Sequence, residues 1–363
     1  MSVTKRAESR MTLTTATYAG RELIKFTATA LVVLIFGRML LVAAIAYWKA
    51  THPEPPPPPT VGFGKLPKIS FPIVAEEDRP ISYTLELPNG SFDDFGDRAK
   101  VFLMPKKAAN LLSDQKAKEI AARYDFVFEP QRLDLRTYRW TKSQPLEMSL
   151  EIDTQDFTFQ LQSNYLSRPD LLLNNALPED YEAVARVKSM LQVADLLPQD
   201  LATSSGKVTY LKSIGGELKN AVSLSDADFL RVDLNRTPID NQFYMYSPDG
   251  ERGVVTAIIS GAVQNYSGIV ELGYHHRFAD YDQVETYPIR TAQMAWKVLS
   301  AGEGHVAQRG TQENAVIRSV SLGYYDSWEE QEFLQPIYIF EGDGGFIGYV
   351  SAIDPRYILV DSE

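Results

Sequence analysis

One long run of apolar residues stands near the start of the chain, between Phe26 and Trp48. It spans 23 residues and contains a single charged side chain, Arg38. As a helix it would be about 35 Å long, which is enough to cross the hydrocarbon core of a bilayer. The pattern therefore predicts a transmembrane helix over residues 26–48, with Tyr47 and Trp48 as aromatic anchors at one membrane interface.

The charges around this run predict its orientation. The flank before it carries Lys5, Arg6, Arg10, Arg21 and Lys25 against two acidic residues, whereas the flank after it begins with Lys49 alone and then becomes neutral and acidic. The positive-inside rule then makes residues 1–25 a cytoplasmic tail and places the rest of the chain outside the membrane.

Two features of this apolar run can be interpreted in more than one way. Ala44-Ile45-Ala46 resembles the cleavage site of a signal peptide, and cleavage there would still leave the remainder exported. Arg38 at mid-span is costly, and it can either pair with an acidic residue of another membrane helix or extend toward one membrane face.

A proline-rich segment follows the apolar run. Residues 52–60 read HPEPPPPPT, and five consecutive prolines fix the backbone in the extended polyproline II conformation. Glycines and prolines continue through residue 72, so the sequence predicts an extended stalk over residues 49–80.

From Ile81 onward the pattern changes to short alternating strands and three amphipathic helices. The helices are predicted over Ser113–Tyr124, Pro178–Leu197 and Thr291–Leu299, and each is followed by several strands. This order predicts an α+β fold with three units, each with one helix packed on an antiparallel sheet. The predicted units cover residues 81–170, 171–286 and 287–363.

Local signals predict further details of these units. Pro248-Asp249-Gly250 and Asp343-Gly344-Gly345 each lie between two strand patterns, which predicts two hairpins. In the third helix, Trp296 shares a face with apolar residues and is expected to be buried. His305 stands between glycines and is expected in a polar surface loop.

A series of short motifs marks the C-terminal region. They are Tyr287-Pro288-Ile289, Ala295-Trp296-Lys297-Val298-Leu299, the strand from Ile317 to Tyr325, Gln335-Pro336-Ile337-Tyr338, and Gly348-Tyr349-Val350-Ser351-Ala352. With these motifs the region resembles the last domain of YycH/YycI-type proteins and, more loosely, PepSY-like modules, over about 70 of the 363 residues and in the layout of the anchor. The resemblance implies one N-terminal membrane span, extracytoplasmic cystatin-like units with a helix on a sheet, and modulation of a membrane histidine kinase without catalysis.

The composition of the chain excludes several kinds of site and partner. The chain has no cysteine and a net charge of -11, which excludes disulfides and cysteine-bound metals and argues against nucleic acid as a partner. His275 and His276 are neighbours on a strand-like stretch, so they point to opposite faces and cannot bind one metal together. The sequence predicts no catalytic residues, no metal site and no cofactor.

Aromatic residues crowd the last part of the chain. Tyr325, Trp328 and Tyr349 are the candidate interaction surface, and core packing is the alternative role for these rings. We expect a membrane-anchored, non-catalytic interaction or regulatory protein of the cell envelope, with a protein partner in the membrane or envelope. The alternatives are a structural spacer or scaffold subunit of an envelope assembly and, third, an envelope hydrolase.

Overall fold

The computed structural model describes residues 13–51, 57–108, 110, 112–144, 146–172, 176–263 and 268–359. The chain divides into two compact units, Met1–Pro58 and Pro59–Glu363. The fold is α+β, with an apolar helix in the first unit and a sheet-rich body in the second, as the sequence predicted.

Helix α1 (Leu13–Thr51) forms the first unit and contains the predicted span. Its apolar part, Gly20–Lys49, is long and hydrophobic enough to cross a membrane, and none of its residues is buried within the protein. Hydroxyl groups on this helix bond to its own backbone, for example Thr27 Oγ1 to the carbonyl of Leu23 at 2.9 Å. Residues 1–25 were predicted as a cytoplasmic tail, and the helix begins within that range, at Leu13. Residues 1–12 of the predicted tail and 52–56 of the predicted stalk lie outside the described residues.

The body contains four helices and 17 strands among its described residues. The helices are α2 (Ser113–Arg123), α3 (Asp180–Val193), α4 (Gln199–Ala202) and α5 (Ala292–Ser300). The strands are β1 (Ser82–Leu85), β2 (Arg98–Leu103), β3 (Gln131–Arg132), β4 (Thr137–Lys142), β5 (Met148–Asp153), β6 (Phe159–Ser163), β7 (Lys207–Ile214), β8 (Glu217–Asn220), β9 (Phe229–Leu234), β10 (Met245–Tyr246), β11 (Val255–Ser260), β12 (Ile269–Tyr274), β13 (Asp280–Pro288), β14 (His305–Gln308), β15 (Asn314–Tyr325), β16 (Phe333–Gly342) and β17 (Ile347–Ser351).

Nine strands form the first sheet, in the order β3-β4-β5-β6-β12-β11-β9-β7-β8. The antiparallel pair β6 and β12 joins the strands that follow α2 to those that follow α3. Both helices bury apolar residues in one shared core, including Ile120 of α2 and Leu191 of α3. The predicted units over residues 81–170 and 171–286 therefore share a sheet and a core.

The three long helices of the body end in the same way. At each end one residue adopts a left-handed backbone: Asp125 after α2, Asp195 after α3 and Gly302 after α5, with φ of 59°, 58° and 79°. The amide of this residue and the amide of the next one donate to carbonyls of the last helical turn. After α5, Gly302 donates to Leu299 and Glu303 donates to Val298. This is the Schellman motif, which satisfies carbonyls that the helix leaves free.

The second sheet is built on the C-terminal strands, in the order β1-β15-β16-β17-β14. Strands from earlier in the chain complete it: β1 and β10 pair in parallel with β15, and β2 pairs with β13 and β16. β1 and β2 lie in the first predicted unit and β10 in the second, whereas β13 crosses the predicted boundary between the second unit and the third. Local pattern reveals where a strand lies, but it does not reveal which distant strand it pairs with.

One of the two predicted hairpins exists. Asp343-Gly344-Gly345 connects β16 to its antiparallel neighbour β17, with Gly344 and Gly345 at positive φ. The prediction at Pro248-Asp249-Gly250 is wrong, because β10 lies in the C-terminal sheet and β11 in the nine-stranded sheet. The turn there crosses between sheets, and the Asp249 carboxylate accepts from the amides of Glu251 and Arg252.

Two side chains near α5 also differ from expectation. Ala292, Ala295 and Leu299 form the buried face of the helix, whereas Trp296 is half-buried and its ring lies 6.1 Å from that of Phe340. His305 is not a surface residue: it begins β14, and it is buried because its ring lies against those of Phe71 and Tyr349.

Candidate functional site

The two faces of the C-terminal sheet are covered by different kinds of structure. Alternation along the strands places Leu322, Tyr338, Phe340 and Val350 on one side, against α5, and we call this the helix face. The other side carries Tyr325, Gln335, Ile337, Ile339, Tyr349 and Ser351, which are direct neighbours across β15, β16 and β17. An extended segment, residues 66–72, covers that side; we call it the strap, and the side beneath it the strap face.

The strap belongs to the predicted stalk, so its position corrects that prediction. Leu66 is completely buried, its amide donates to the carbonyl of Tyr357, and its carbonyl accepts from the amide of Leu359. The carbonyl of Pro67 accepts from Gln335 Nε2 at 3.0 Å. The stretch docks on the body because it contains apolar residues. Ile69 leaves water and packs against Ile337 and Ile339, and this burial lowers the free energy of the docked state.

Phe71 is the second apolar contact of the strap. Its ring stacks on His305, with centroids 5.0 Å apart and an angle of 2°, and meets the edge of Tyr325 at 4.8 Å. Tyr325 and Tyr349 also contact each other, at 6.3 Å. Burial lowers the pKa of His305, so the imidazole is neutral at pH 7 and its Nε2–H donates to the carbonyl of Pro248 at 2.9 Å.

Several polar atoms of the strap face have no hydrogen-bond partner within the described protein. They are Gln335 Oε1, Tyr349 Oη and Ser351 Oγ, whereas the Tyr325 hydroxyl interacts with the side chain of Ser327. Tyr325, Gln335 and Tyr349 are at least nine-tenths buried. Each buried polar group without a partner costs about 1–3 kcal/mol, so this side of the sheet carries unused hydrogen-bonding capacity at an energetic cost.

A cleft opens on each side of the strap. The first is lined by Lys106, Ser327, Gln331 and Phe333 beside residues 67–70. The second is lined by Arg79, Glu303 and His305 beside residues 68–73. The strap thus lies as a bridge over a longer depression in the surface.

The structure separates the three residues of the predicted interaction surface. Tyr325 and Tyr349 lie together but are buried under the strap, so neither is part of an exposed surface. Trp328 lies elsewhere: its ring is 5.7 Å from that of His275, and its carbonyl accepts from Arg277 Nη1 at 2.7 Å. The strap covers both rings through Phe71, and Tyr246 and Gly250 also cover Tyr349. The stalk prediction had placed the strap away from the body.

The second candidate site is a buried charged cluster between the two sheets. Arg236 follows β9 and is completely buried at its side chain. Its Nε donates to Asp326 Oδ2 at 2.7 Å, its Nη1 to Asp200 Oδ2 at 2.9 Å, and its Nη2 to the carbonyl of Arg277 at 2.6 Å. Asp200 belongs to α4 and Asp326 follows β15, so this one guanidinium links the nine-stranded sheet to the C-terminal sheet.

His276 gives this cluster a pair of residues that also occurs in enzymes. Its Nε2 lies 3.0 Å from Asp200 Oδ2 and 2.8 Å from Arg236 Nη1. Burial lowers the pKa of His276. For Asp200, burial alone would raise the pKa, but His276 and Arg236 have the larger opposite effect and hold it well below its usual range. Tyr281 also donates to Asp200 Oδ2, at 3.2 Å. Both Asp200 oxygens are therefore occupied by groups of the protein itself, which favours a structural role.

Sequence reasoning missed most of this chemistry. Asp200, Arg236 and Asp326 are isolated in sequence, and no spacing connects them. The strap did leave a signal, because Leu66, Ile69 and Phe71 are large apolar residues in a segment interpreted as solvated stalk. Of the two adjacent histidines, His276 is buried and His275 half-buried, in keeping with opposite orientations.

The predicted membrane-anchor residues all lie on α1. Phe26, Tyr47 and Trp48 are exposed along the helix, as is the aliphatic surface between them. Arg38 is exposed within the apolar part. Among the described residues, no group of three or more His, Cys, Asp or Glu side chains could hold a metal ion.

Comparison with known proteins identifies no family. No family model and no curated protein matches this chain. The C-terminal domain of YpeB from Bacillus megaterium is similar over 69% of this chain and 95% of that domain, with 10% identity and a TM-score of 0.33. An uncharacterized protein from Eubacterium rectale is similar over 78% of this chain and 85% of its own, with 11% identity and a TM-score of 0.33. TM-scores of this size support no conclusion about fold or function.

Proposed function

We propose that this chain is a membrane-anchored, extracytoplasmic interaction or regulatory protein of the cell envelope, without catalytic activity. The observation that carries the proposal is the apolar surface of α1. Leu34, Leu40 and Tyr47 are each about 70% exposed, at 71%, 71% and 72%. Since none of the described residues covers this surface over Gly20–Lys49, a bilayer is the partner that fits it.

The orientation follows from the basic flank before the span. Protease added to intact cells should degrade the body and spare the N-terminal tail. A C-terminal epitope that survives protease on intact cells, and is lost only after lysis, would reverse the orientation.

The absence of catalysis is part of the proposal and rests on how polar groups are used. The histidine and carboxylate that come closest to a catalytic pair, His276 and Asp200, are bound to the buried Arg236. An envelope hydrolase would instead direct such groups into an open pocket.

The partner that we propose is a membrane protein, and a membrane sensor kinase is the class that the YycH/YycI resemblance implies. Arg38 lies in the apolar stretch, where a charge is costly unless it pairs or reaches an interface. An acidic residue in a partner helix would satisfy it.

Affinity purification from membranes tests this function against the spacer alternative. The unaltered chain should retain its partner, whereas a chain whose residues 20–49 are replaced by an unrelated single-span helix should lose it. Arg38→Leu should insert normally, and it should also lose the partner if the arginine forms the contact. Full retention of the partner by the chain with the foreign helix would support a spacer that needs only an anchor.

A further inference from the structure

The strap does not cover the sheet as a further strand. Residues 66–72 contain no strand, and the amide of Phe71 donates to the carbonyl of Ile69 within the strap itself. The strap is instead held by hydrogen bonds at Leu66 and Pro67 and by apolar side chains. A segment bound in this way resembles a ligand lying in a groove more than a structural layer of the sheet.

We propose that the strap face is a binding groove for an extended peptide, and that residues 66–72 occupy it here as an internal ligand. This inference deepens the proposed function, since it names the surface through which the body would recognise a protein. The peptide would enter when the strap leaves, so the strap acts as a competitor for the site.

The occupant defines the chemistry of the ligand. Ile69 and Phe71 face the sheet, while Lys68 and Ser70 between and beside them are exposed. This spacing of two is that of an extended chain with one side buried. A matching peptide therefore carries an aliphatic residue, then any residue, then an aromatic residue that can stack on His305.

The groove has hydrogen-bonding capacity that the strap does not use. Gln335 Oε1 and Tyr349 Oη are buried and lack a partner within the described protein. A peptide with amides at these positions would pair them, and extended peptides are commonly recognised through backbone hydrogen bonds together with pockets for alternate side chains. The clefts on both sides of the strap leave room for a ligand longer than the strap.

The test uses the full chain in detergent micelles and a fluorescein-labelled peptide with the sequence of residues 65–74, read by fluorescence anisotropy. In the unaltered chain the strap competes, so binding should be weak. Phe71→Ala in the chain removes the main aromatic contact of the competitor, and the peptide should then bind about tenfold more tightly, because the open fraction of sites rises. Ile69→Ala should also tighten peptide binding, and it replaces Phe71→Ala in the test if that variant does not fold.

Two controls make the result specific. Phe95→Ala removes another half-buried ring, one that lies 5.5 Å from Tyr338 in the core cluster of the helix face, and should leave peptide affinity unchanged. A peptide carrying Phe71→Ala should bind none of the chains. The proposal is overturned if a folded Phe71→Ala chain binds the peptide no better than the unaltered chain, or if Phe95→Ala gives the same gain. The assay contains only this chain and the peptide, so its outcome is separate from that of the membrane purification.

Discussion

The helix face and the strap face belong to the same sheet, yet they are covered on different principles. On the helix face, Ala295 and Leu299 of α5 are completely buried, and the hydroxyl of Tyr338 donates to the carbonyl of Arg290 at 2.7 Å. On the strap face, the strap makes two apolar contacts and lies over Gln335 Oε1 and the Tyr349 hydroxyl, which have no partner within the described protein. The first arrangement gives stability, whereas the second leaves binding capacity in a covered site.

The largest difference should come from apolar truncations on the two sides. Leu299→Ala should lower the free energy of unfolding by about 2–5 kcal/mol, because the cavity lies under a helix that cannot collapse into it. Ile69→Ala should cost less, because the strap can detach while the sheet stays folded. Urea unfolding of the full chain in micelles, followed by tryptophan fluorescence, measures both; equal losses would remove the distinction between the faces.

Acid should act on the strap face and not on the helix face. His305 has a lowered pKa because of burial, so the unfolded chain binds its proton more readily than the folded one. Stability from such a group is complete above the unfolded pKa of about 6.5 and falls as the pH drops below it. His275 behaves alike at the sheet junction, since burial and then Arg277 lower its pKa to about 4.

The measurement is urea unfolding between pH 8 and pH 4. The unaltered chain should lose stability below about pH 6.5, by up to about 1.4 kcal/mol per pH unit for each such histidine. His305→Gln should reduce the slope, and His275→Gln should reduce it independently. A slope that is unchanged in His305→Gln would mean that His305 is protonated with equal ease in both states.

A smaller effect is expected from removing a hydroxyl that is bonded. Tyr338→Phe removes the hydroxyl that donates to the Arg290 carbonyl on the helix face. It should lower the free energy of unfolding by about 1 kcal/mol in the same urea assay. A silent Tyr338→Phe would show that this bond adds nothing beyond what water provides.

The smallest effect should come from the matched change on the strap face. Tyr349→Phe removes a buried hydroxyl that has no partner, so stability should stay within about 0.5 kcal/mol or rise. A loss as large as that of Tyr338→Phe would show that the Tyr349 hydroxyl is bonded after all, and the unused capacity of the groove would be smaller than proposed.

The sequence predicted the elements well where a local pattern was strong. The apolar run, the helices α2, α3 and α5, and the strands β15, β16 and β17 lie where alternation and helical spacing placed them. The side on which Tyr325 lies, opposite Leu322, also followed from alternation. Such features depend on neighbours within a few residues, which one sequence reveals directly.

What the sequence did not predict depends on contacts between distant segments. The pairing of β1 with β15 joins residues more than 200 positions apart, for example Ser82 and Asn314. Arg236 finds its partners on α4 and after β15, and the strap finds its groove on β16 and β17. Prolines and glycines indicated a segment outside the helices and strands, but this signal alone does not distinguish a free stalk from a docked one.

The central claim is that the strap can open without unfolding of the sheet, and thiol labelling tests it most directly. The chain has no cysteine, so Ile69→Cys and Ala295→Cys each provide a single buried thiol, one under the strap and one under α5. In native conditions Ile69→Cys should react much faster than Ala295→Cys, and its rate should be nearly independent of urea at low urea concentrations, as for a local opening. If both thiols react at the same rate, with the same steep dependence on urea, the strap opens only by global unfolding and the account is contradicted.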